Sequence, residues 1–280
     1  MNNGRAAIIQ LGTNLPPSIG VFGRLQRLLE NPDCDVGDIV ELVQIDAALT
    51  FQVLKLANSA VYGLRQRCES LEDAVGRIGF GDVHQLVGLA ISRQVFQGDL
   101  ASYGLSAAKL WENSVATAVL AGAIADAAGE DARNAYAAGL LRNIGRIILD
   151  RHANAGRYPG PDVAPDAHAW EKETYGYSAG EAAAMLLEHW RFAPDMVGAV
   201  CAHRSPAESR EFRPSASRLH LACAVVADWG MALPGEASGW SVDLPTLELA
   251  GIDADRLASA RERALAEFAR CATLGWSHAA

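Results

Sequence analysis

The side chains best suited to bind a metal or attack a substrate are five Cys and seven His. Among them, Cys201-x-His203 and His220-x-x-Cys223 would supply four zinc-capable ligands. His220 and Cys223 have the i, i+3 spacing of one helical face, but Cys201 and His203 are two residues apart. On a helix of 3.6 residues per turn their side chains diverge by about 200°. The set therefore reads as buried Cys and partly exposed His, and no metal is assigned to it. With Cys34, Cys68 and Cys271 the thiols are odd in number, widely spaced and mostly inside apolar helical patterns, the signature of reduced packing residues in a cytosolic protein. A Cys–His nucleophile is not specified, because chance pairings are expected among this many thiols and imidazoles. A Walker-type phosphate loop and a Gly-x-Ser-x-Gly elbow are both lacking. Gly79-x-Gly81 lies between two helical patterns without the strand that a dinucleotide fingerprint needs.

Such residues need a scaffold, and the composition bounds it. Of 280 residues, half are apolar and 20% charged, which excludes disorder, a collagen-like chain and a disulfide miniprotein. The length allows one large domain or two of about 100 to 150 residues, with no need of a cofactor for stability. The 24 Lys+Arg against 33 Asp+Glu leave a net charge of −9. The basic residues form no stripe, so duplex nucleic acid is not an expected partner. The N-terminal MNNGRAAIIQLGTNLPP holds too short an apolar stretch for a signal sequence, and the most apolar stretch, Val115 to Ala128, is interrupted by Asp126. No export signal and no membrane span are expected, and the location expected is the cytoplasm.

The recurring pattern is a cap, an apolar stripe at helical spacing and a Gly or Pro break, with no convincing strand segment, so the fold class expected is all-α. Ser18 starts a helix through Leu29 after Pro16-Pro17, and Asp35 caps one carrying Ile39, Leu42 and Val43. A third runs from Ala47 to Ala60. Ser70 with Asp73 resembles a capping box for a short helix ending at Gly79, and Asp82 opens a longer one to about Phe96. Gly98 to Gly104 is the first plausible boundary. A central helix from about Ala107 to Ala128 presents a narrow seam of mostly small residues, Ala118 and Gly122 among them, suited to close packing. Asp131 caps the next helix, which runs through Leu141, Ile144 and Ile148. Further helices are expected near 167–175, 178–191, 195–203 and 215–230, with a last one capped by Asp253. No fixed-period repeat is visible.

Several segments carry a resemblance. Leu15-Pro16-Pro17, then Ile45-Asp46-Ala47-Ala48-Leu49-Thr50, then Asn58-Ser59-Ala60-Val61-Tyr62-Gly63 and Ser70-Leu71-Glu72-Asp73-Ala74 follow one another in the first half. Leu110-Trp111-Glu112-Asn113-Ser114, Ala138-Gly139-Leu140-Leu141-Arg142-Asn143-Ile144-Gly145 and Tyr175-Gly176-Tyr177-Ser178 follow in the second. In this order they resemble the HDOD family of bacterial signalling proteins, over about residues 15 to 208. Asn-Ser-Ala-x-Tyr-Gly is the most specific part, and Asp46, Leu49, Asn58, Ser59, Tyr62 and Gly63 are the motif positions. The resemblance implies an N-terminal helical bundle, 15–104, packed on a bundle related to the HD phosphohydrolases, 105–208. Residues 209–280 are expected to complete or extend the second bundle.

In the HD phosphohydrolases, His and Asp side chains hold a divalent metal that activates water against a phosphoester. Here Asn113 stands where an HD enzyme has its first His, Arg142-Asn143 replaces the His-Asp doublet, and Ala179 takes a further His position. Only His203 and Asp228 remain as relics. Arginine has no lone pair to give and an Asn amide is a weak ligand, so no catalytic residue, metal or cofactor is expected. Arg142 is expected to occupy the region of the lost metal and to pair with Asp228 or another carboxylate.

For Asn58, Ser59 and Tyr62 a recognition surface competes with plain helix termination, and capping chemistry favours termination. Trp111 and Trp190 read as core anchors, whereas Trp240 and Trp276 lie in less regular sequence. The function expected is a non-enzymatic regulatory module that binds a signalling protein, with a small signal or a nucleotide as a further candidate ligand. No receiver, GGDEF-like or EAL-like segment is recognisable, so the signal is expected to pass by non-covalent association. The alternatives are a diverged metal-dependent phosphohydrolase acting on a nucleotide, and a nucleotide sensor that uses Arg142 and Arg146 as phosphate contacts without hydrolysis.

Overall fold

The computed structural model describes residues 2–152, 156–164 and 166–275. The described residues are helical with no strand, apart from an isolated antiparallel bridge between Leu100 and Leu105. Trp276 lies outside them. The chain forms two compact units, one of residues 1–14 with 96–268, the other of residues 15–95 with 269–280. The sequence-based boundary near Gly98 to Gly104 falls just inside the first of these.

In the second unit the caps decide where helices begin. Helix α2 (Ser18–Leu29) follows Pro17, and Ser18 itself does not cap it: its hydroxyl donates to Gln94 Oε1 at 2.8 Å. Helix α3 (Val36–Gln44) opens on a reciprocal capping box of Asp35 and Asp38. Helix α4 (Ala47–Ala57) is capped by Asp46, whose carboxylate accepts from Leu49 N at 2.9 Å. Ser70 caps α5 (Leu71–Ile78), and α6 (Phe80–Val95) starts two residues before Asp82. Ile19, Phe22, Leu25, Ile39, Leu49 and Leu86 meet in the core. Burying each such side chain is worth about 1.5–3 kcal/mol.

The first unit begins with α1 (Asn2–Gly12), a helix absent from the sequence-based expectation, which packs on α11 (Ala179–His189). Its centre is α7 (Ala107–Ala128), capped by Ser106 and buried along most of its length. Helix α8 (Ala132–Leu141), capped by Asp131, lies against it. A Cβ on Gly139 would come within 2.6 Å of Ala118 Cα, so the small-residue seam lets the two backbones nearly touch. Where one helix through Ile148 is expected, the structure breaks at Arg142-Asn143 before α9 (Ile144–Asp150). The ladder lapses at Asn143, whose ψ is −3° and whose side chain turns to α7 instead of continuing the helix surface. Then come α10 (Ala167–Tyr175), α12 (Pro194–Ala202) and α13 (Arg213–Val226), the last ending in a π-type turn over Ala227–Met231 kinked at Gly230. Helices α14 (Leu244–Ala250) and α15 (Ala254–Gly275) finish the chain. Asp253 accepts from Arg256 N at the start of α15.

Candidate functional site: a buried guanidinium–carboxylate cluster

The break between α8 and α9 turns Arg142 and Asn143 inward, and α9 adds Arg146 one turn later. The close approach of α9 to α11 is set by Gly145, where any Cβ would lie 1.8 Å from Ala179 O. Ala179 is therefore buried beside the cluster, with its N–H donating to Glu171 Oε2 at 2.7 Å.

Asn113, on α7, organises one side. Its Oδ1 accepts from Arg142 Nη2 at 2.6 Å and from Asn143 Nδ2 at 3.1 Å, while its own Nδ2 donates to Met231 O at 2.8 Å. Asn143 Nδ2 also donates to Ser114 Oγ at 2.9 Å. Across from these, Glu236 receives a fork from Arg142, Nη1 to Oε1 and Nη2 to Oε2, each 3.2 Å. Arg146 Nη2 lies 3.1 Å from the same Glu236 Oε1, and Arg146 Nε lies 3.5 Å from Glu171 Oε1. Tyr103 donates its hydroxyl to Glu171 at 3.1 Å, and its ring sits 5.1 Å from the Arg146 guanidinium carbon. Arg142, Arg146, Glu171 and Glu236 are only 3%, 3%, 2% and 7% exposed. Two buried cations thus face two buried carboxylates, the condition under which such charges are tolerated.

The electrostatics follow from this geometry. Burial alone would raise the Glu236 carboxyl, but Arg142 and then Arg146 pull it down to about 2. For Glu171 burial wins over Arg146, and its carboxyl is raised. His203 is buried beside the same charges; burial first, then Arg142, pushes its imidazole down to about 3, so it is neutral at pH 7. Its Nδ1–H donates to Val200 O at 2.7 Å and its ring stacks on Trp240 at 5.6 Å. Burial lifts the Cys223 thiol to about 12, which leaves it an unreactive packing group.

A second ring of residues closes the site. Arg204 donates to Asp166 Oδ1 at 2.9 Å and to Glu236 O at 3.2 Å, with its guanidinium carbon 4.8 Å from the Trp240 ring centre. What space remains between these groups is about 30 Å³, the room of one or two waters. The donor set does not suit a divalent cation. Two guanidinium groups point at the carboxylates, Asn113 Oδ1 already takes two donors, and no cluster of three His, Cys, Asp or Glu is placed to hold a metal among the described residues.

Asp228 is exposed in the π-type turn, and Glu236 supplies the carboxylate for Arg142. Glu236, Glu171, Tyr103 and Arg204 carry no motif in the sequence, and Trp240 stands out there only for its less regular surroundings. One sign was there: two Arg at i, i+4 in an apolar helical pattern must find carboxylates if they are buried. The Cys201/His203/His220/Cys223 set is dispersed. Cys201 is exposed and Cys223 buried, while His220 donates from Nδ1 to His203 O at 2.8 Å and accepts from Ser241 N at 3.2 Å through Nε2. No disulfide joins any of the five Cys among the described residues.

The motif residues of the other unit form a separate device. Asn58 ends α4 and clamps the following loop: Nδ2 donates to Leu54 O at 3.0 Å and to Cys68 O at 2.9 Å, and Oδ1 accepts from Cys68 N at 2.7 Å. Leu49 is buried, and Ser59 Oγ is enclosed with no hydrogen-bond partner. Tyr62 is half-buried with the Arg270 guanidinium 5.8 Å from its ring centre, and Gly63 has a φ of 57°.

The profile of the HDOD domain matches residues 15–206. A curated relative from Treponema pallidum (strain Nichols), an uncharacterised protein, is 27% identical over 212 residues, which are 71% of this chain and 39% of that protein. The chain therefore spans about two fifths of that relative's length. Among solved structures, an HDOD domain protein of unknown function from Geobacter sulfurreducens superposes with a TM-score of 0.71 at 18% identity, covering 98% of this chain and 97% of that one. A protein from Marinobacter aquaeolei VT8, provisionally named for signal transduction, gives 0.67 at 26% identity over 92% of this chain and 60% of that one. One from Shewanella amazonensis SB2B, provisionally named a phosphohydrolase, gives 0.70 at 24% identity over 96% and 97%. At this identity the Geobacter and Shewanella structures speak for the fold alone.

Proposed function

Because the chain belongs to the HDOD domain family, we propose that it is a non-enzymatic regulatory module of bacterial signal transduction, which engages a protein partner and turns over no phosphoester. The observation that carries this reading is the Arg142/Arg146–Glu236/Glu171 cluster. Hydrolysis in the HD manner needs a metal-bound water in an accessible site. Here the corresponding residues are one fixed cation, Arg142, two amides, Asn113 and Asn143, and Ala179, and the space beside them holds one or two waters. Arg142 and Arg146 face Glu236 and Glu171 with their charges balanced, although Arg142 Nε and Arg146 Nη1 are buried without a hydrogen-bond partner, and the cluster ties α7, α9, α10 and the 233–240 segment together.

The same geometry weighs against a nucleotide held by Arg142 and Arg146. Both guanidinium groups already face carboxylates, and ligand clefts run to about 300–1,000 Å³, well above the space left here. A partner transmits a signal only if it prefers one packing of the helices over another, since a ligand with equal affinity for both shifts nothing.

The test is elemental analysis of chelator-treated protein after loading with Mn²⁺ or Mg²⁺, paired with an assay of bis(p-nitrophenyl) phosphate and cyclic dinucleotide cleavage. The expected result is no stoichiometric metal and no turnover. Stoichiometric metal with turnover that is lost in His203→Ala would replace this reading with a diverged hydrolase.

A further inference from the structure

Beside the filled cluster lies an open groove of about 670 Å³, walled by α10, α11, α12 and the segment 205–212. Its floor is apolar: Ala184 and Met185 of α11, Val197 of α12, and Phe192 and Phe212 from the loops. Phe212 is seated against Gly198, where a Cβ would fall 2.0 Å from the ring. Three carboxylates, Glu181, Glu188 and Glu208, and two cations, Lys172 and Arg204, line this floor. Glu181 and Glu188 are seven residues apart on α11, about 10 Å along the axis, and Glu208 comes from the 3-10 turn Pro206–Glu208.

The cations at the groove are already spoken for. Lys172 pairs with Glu181 at 3.3 Å, and Arg204 turns to Asp166 and Glu236 O. Arg5 of α1 reaches Glu188 at 2.8 Å, but both side chains are about half exposed, so a competing cation displaces that contact at little cost. Glu208 makes no ion pair among the described residues. The chain as a whole is at −9, which draws cationic partners.

We propose that this groove docks a basic amphipathic helix of a partner protein, its apolar face on Met185, Val197 and Phe212 and its Lys or Arg side chains on Glu188 and Glu208, Glu181 being held by Lys172 and the Ser178 N–H. A helix is favoured over an extended segment because the groove walls are helices with no strand edge to hydrogen-bond an extended backbone, whereas a helix satisfies its own. Arg204 lines both the groove and the filled cluster, and so gives an occupant a route to Glu236 and Trp240.

This site rests on the partner-binding reading above, and its test is separable from that of the reading. The full chain is titrated with a fluorescein-labelled Leu/Lys amphipathic peptide of roughly 18 residues, about five helical turns, and with scrambled Leu/Lys and patterned Leu/Glu peptides as controls. The bound face is mapped by backbone-amide shifts. The patterned Leu/Lys peptide should bind at least about tenfold more tightly than either control, with shifts centred on residues 184–212, and Glu188→Lys/Glu208→Lys should weaken it about tenfold with an unchanged melting temperature. Val197→Asp should do the same through the floor. Binding that ignores the charge reversal, or shifts centred on the exposed Ile45 and Phe51 of the other unit, would overturn the proposal. Absence of binding in a protein that also lacks metal and turnover would overturn this groove and leave the regulatory reading standing.

Discussion

The Arg142 cluster and the Asn58 clamp are both knots of polar side chains at motif positions, yet they hold the chain by different means. The clamp is neutral and local: one amide answers backbone groups of Leu54 and Cys68, ten residues away in sequence. The cluster is charged and long-range, joining α7 to the 233–240 segment through groups about a hundred residues apart. A neutral amide deleted from the clamp leaves backbone groups short of partners. A charge deleted from the cluster leaves its opposite buried and alone, which costs considerably more.

The widest separation between the two is expected at Glu236. Glu236→Ala leaves Arg142 without a carboxylate and Arg146 with Glu171 alone, and should lose about 3–5 kcal/mol of stability in chemical denaturation. A loss below about 1 kcal/mol, the range of exposed pairs, would erase the distinction. Acid should expose the same charge. Glu236 sits at about 2 in the folded chain against 4.5 unperturbed, so its contribution is present above pH 4.5 and fades as the pH falls toward 2. At 1.36 kcal/mol per unit this is of the order of 3 kcal/mol. His203, held neutral down to about 3 against 6.5 unperturbed, acts in the same direction but earlier, its contribution fading as the pH falls below 6.5. Glu171, being raised, opposes them in part. Burial also lowers His220 and His168, so melting temperature against pH should lose part of its slope between pH 6.5 and 5 in His203→Gln, and keep that slope but lose part of the fall below 4.5 in Glu236→Gln. Identical profiles for the two variants would contradict the assignment.

At the clamp, Asn58→Ala should cost about 1–3 kcal/mol, the range for a buried backbone group left unpaired. Its effect should be confined to residues 54–70 in hydrogen exchange, whereas Glu236→Ala should loosen α7, α9 and the 233–240 segment together. The smallest effect is expected at the neighbouring cap. Asp46→Ala removes a single bond to Leu49 N and should lower stability by about 1 kcal/mol, read from the urea midpoint.

The same contrast explains what the sequence disclosed. Most helices announce themselves by chemistry that acts within four residues, such as Asp35 with Asp38, Asp131 with Arg133, and Asp253 with Arg256. Helix α1 has no acidic residue in its first turn, and it packs on α11. The break at Asn143 is equally silent, because Asn113 and Ser114, some thirty residues earlier, hold its side chain. The six positions drawn from the HD comparison divide in the same way: Asn113, Arg142 and Asn143 share direct bonds, Ala179 and His203 lie beside them, and Asp228 faces solvent. That Arg142 and Arg146 require carboxylates could be argued from burial alone. That Glu236, in the Pro-Gly stretch after Met231, and Glu171 supply them depends on how the chain returns to the cluster, which no local pattern encodes.

In the function proposed above, Arg142 and Glu236 act as one unit in place of metal and ligands, and a double-mutant cycle in urea tests this directly with Arg142→Met, Glu236→Leu and the pair. Each single change should cost about 3–5 kcal/mol, and the double variant should recover most of the loss, because two apolar groups replace a pair that had to be desolvated. Losses that simply add would show that the two side chains are not each other's essential partners, and would contradict the proposal that the pair takes the place of a metal and its ligands.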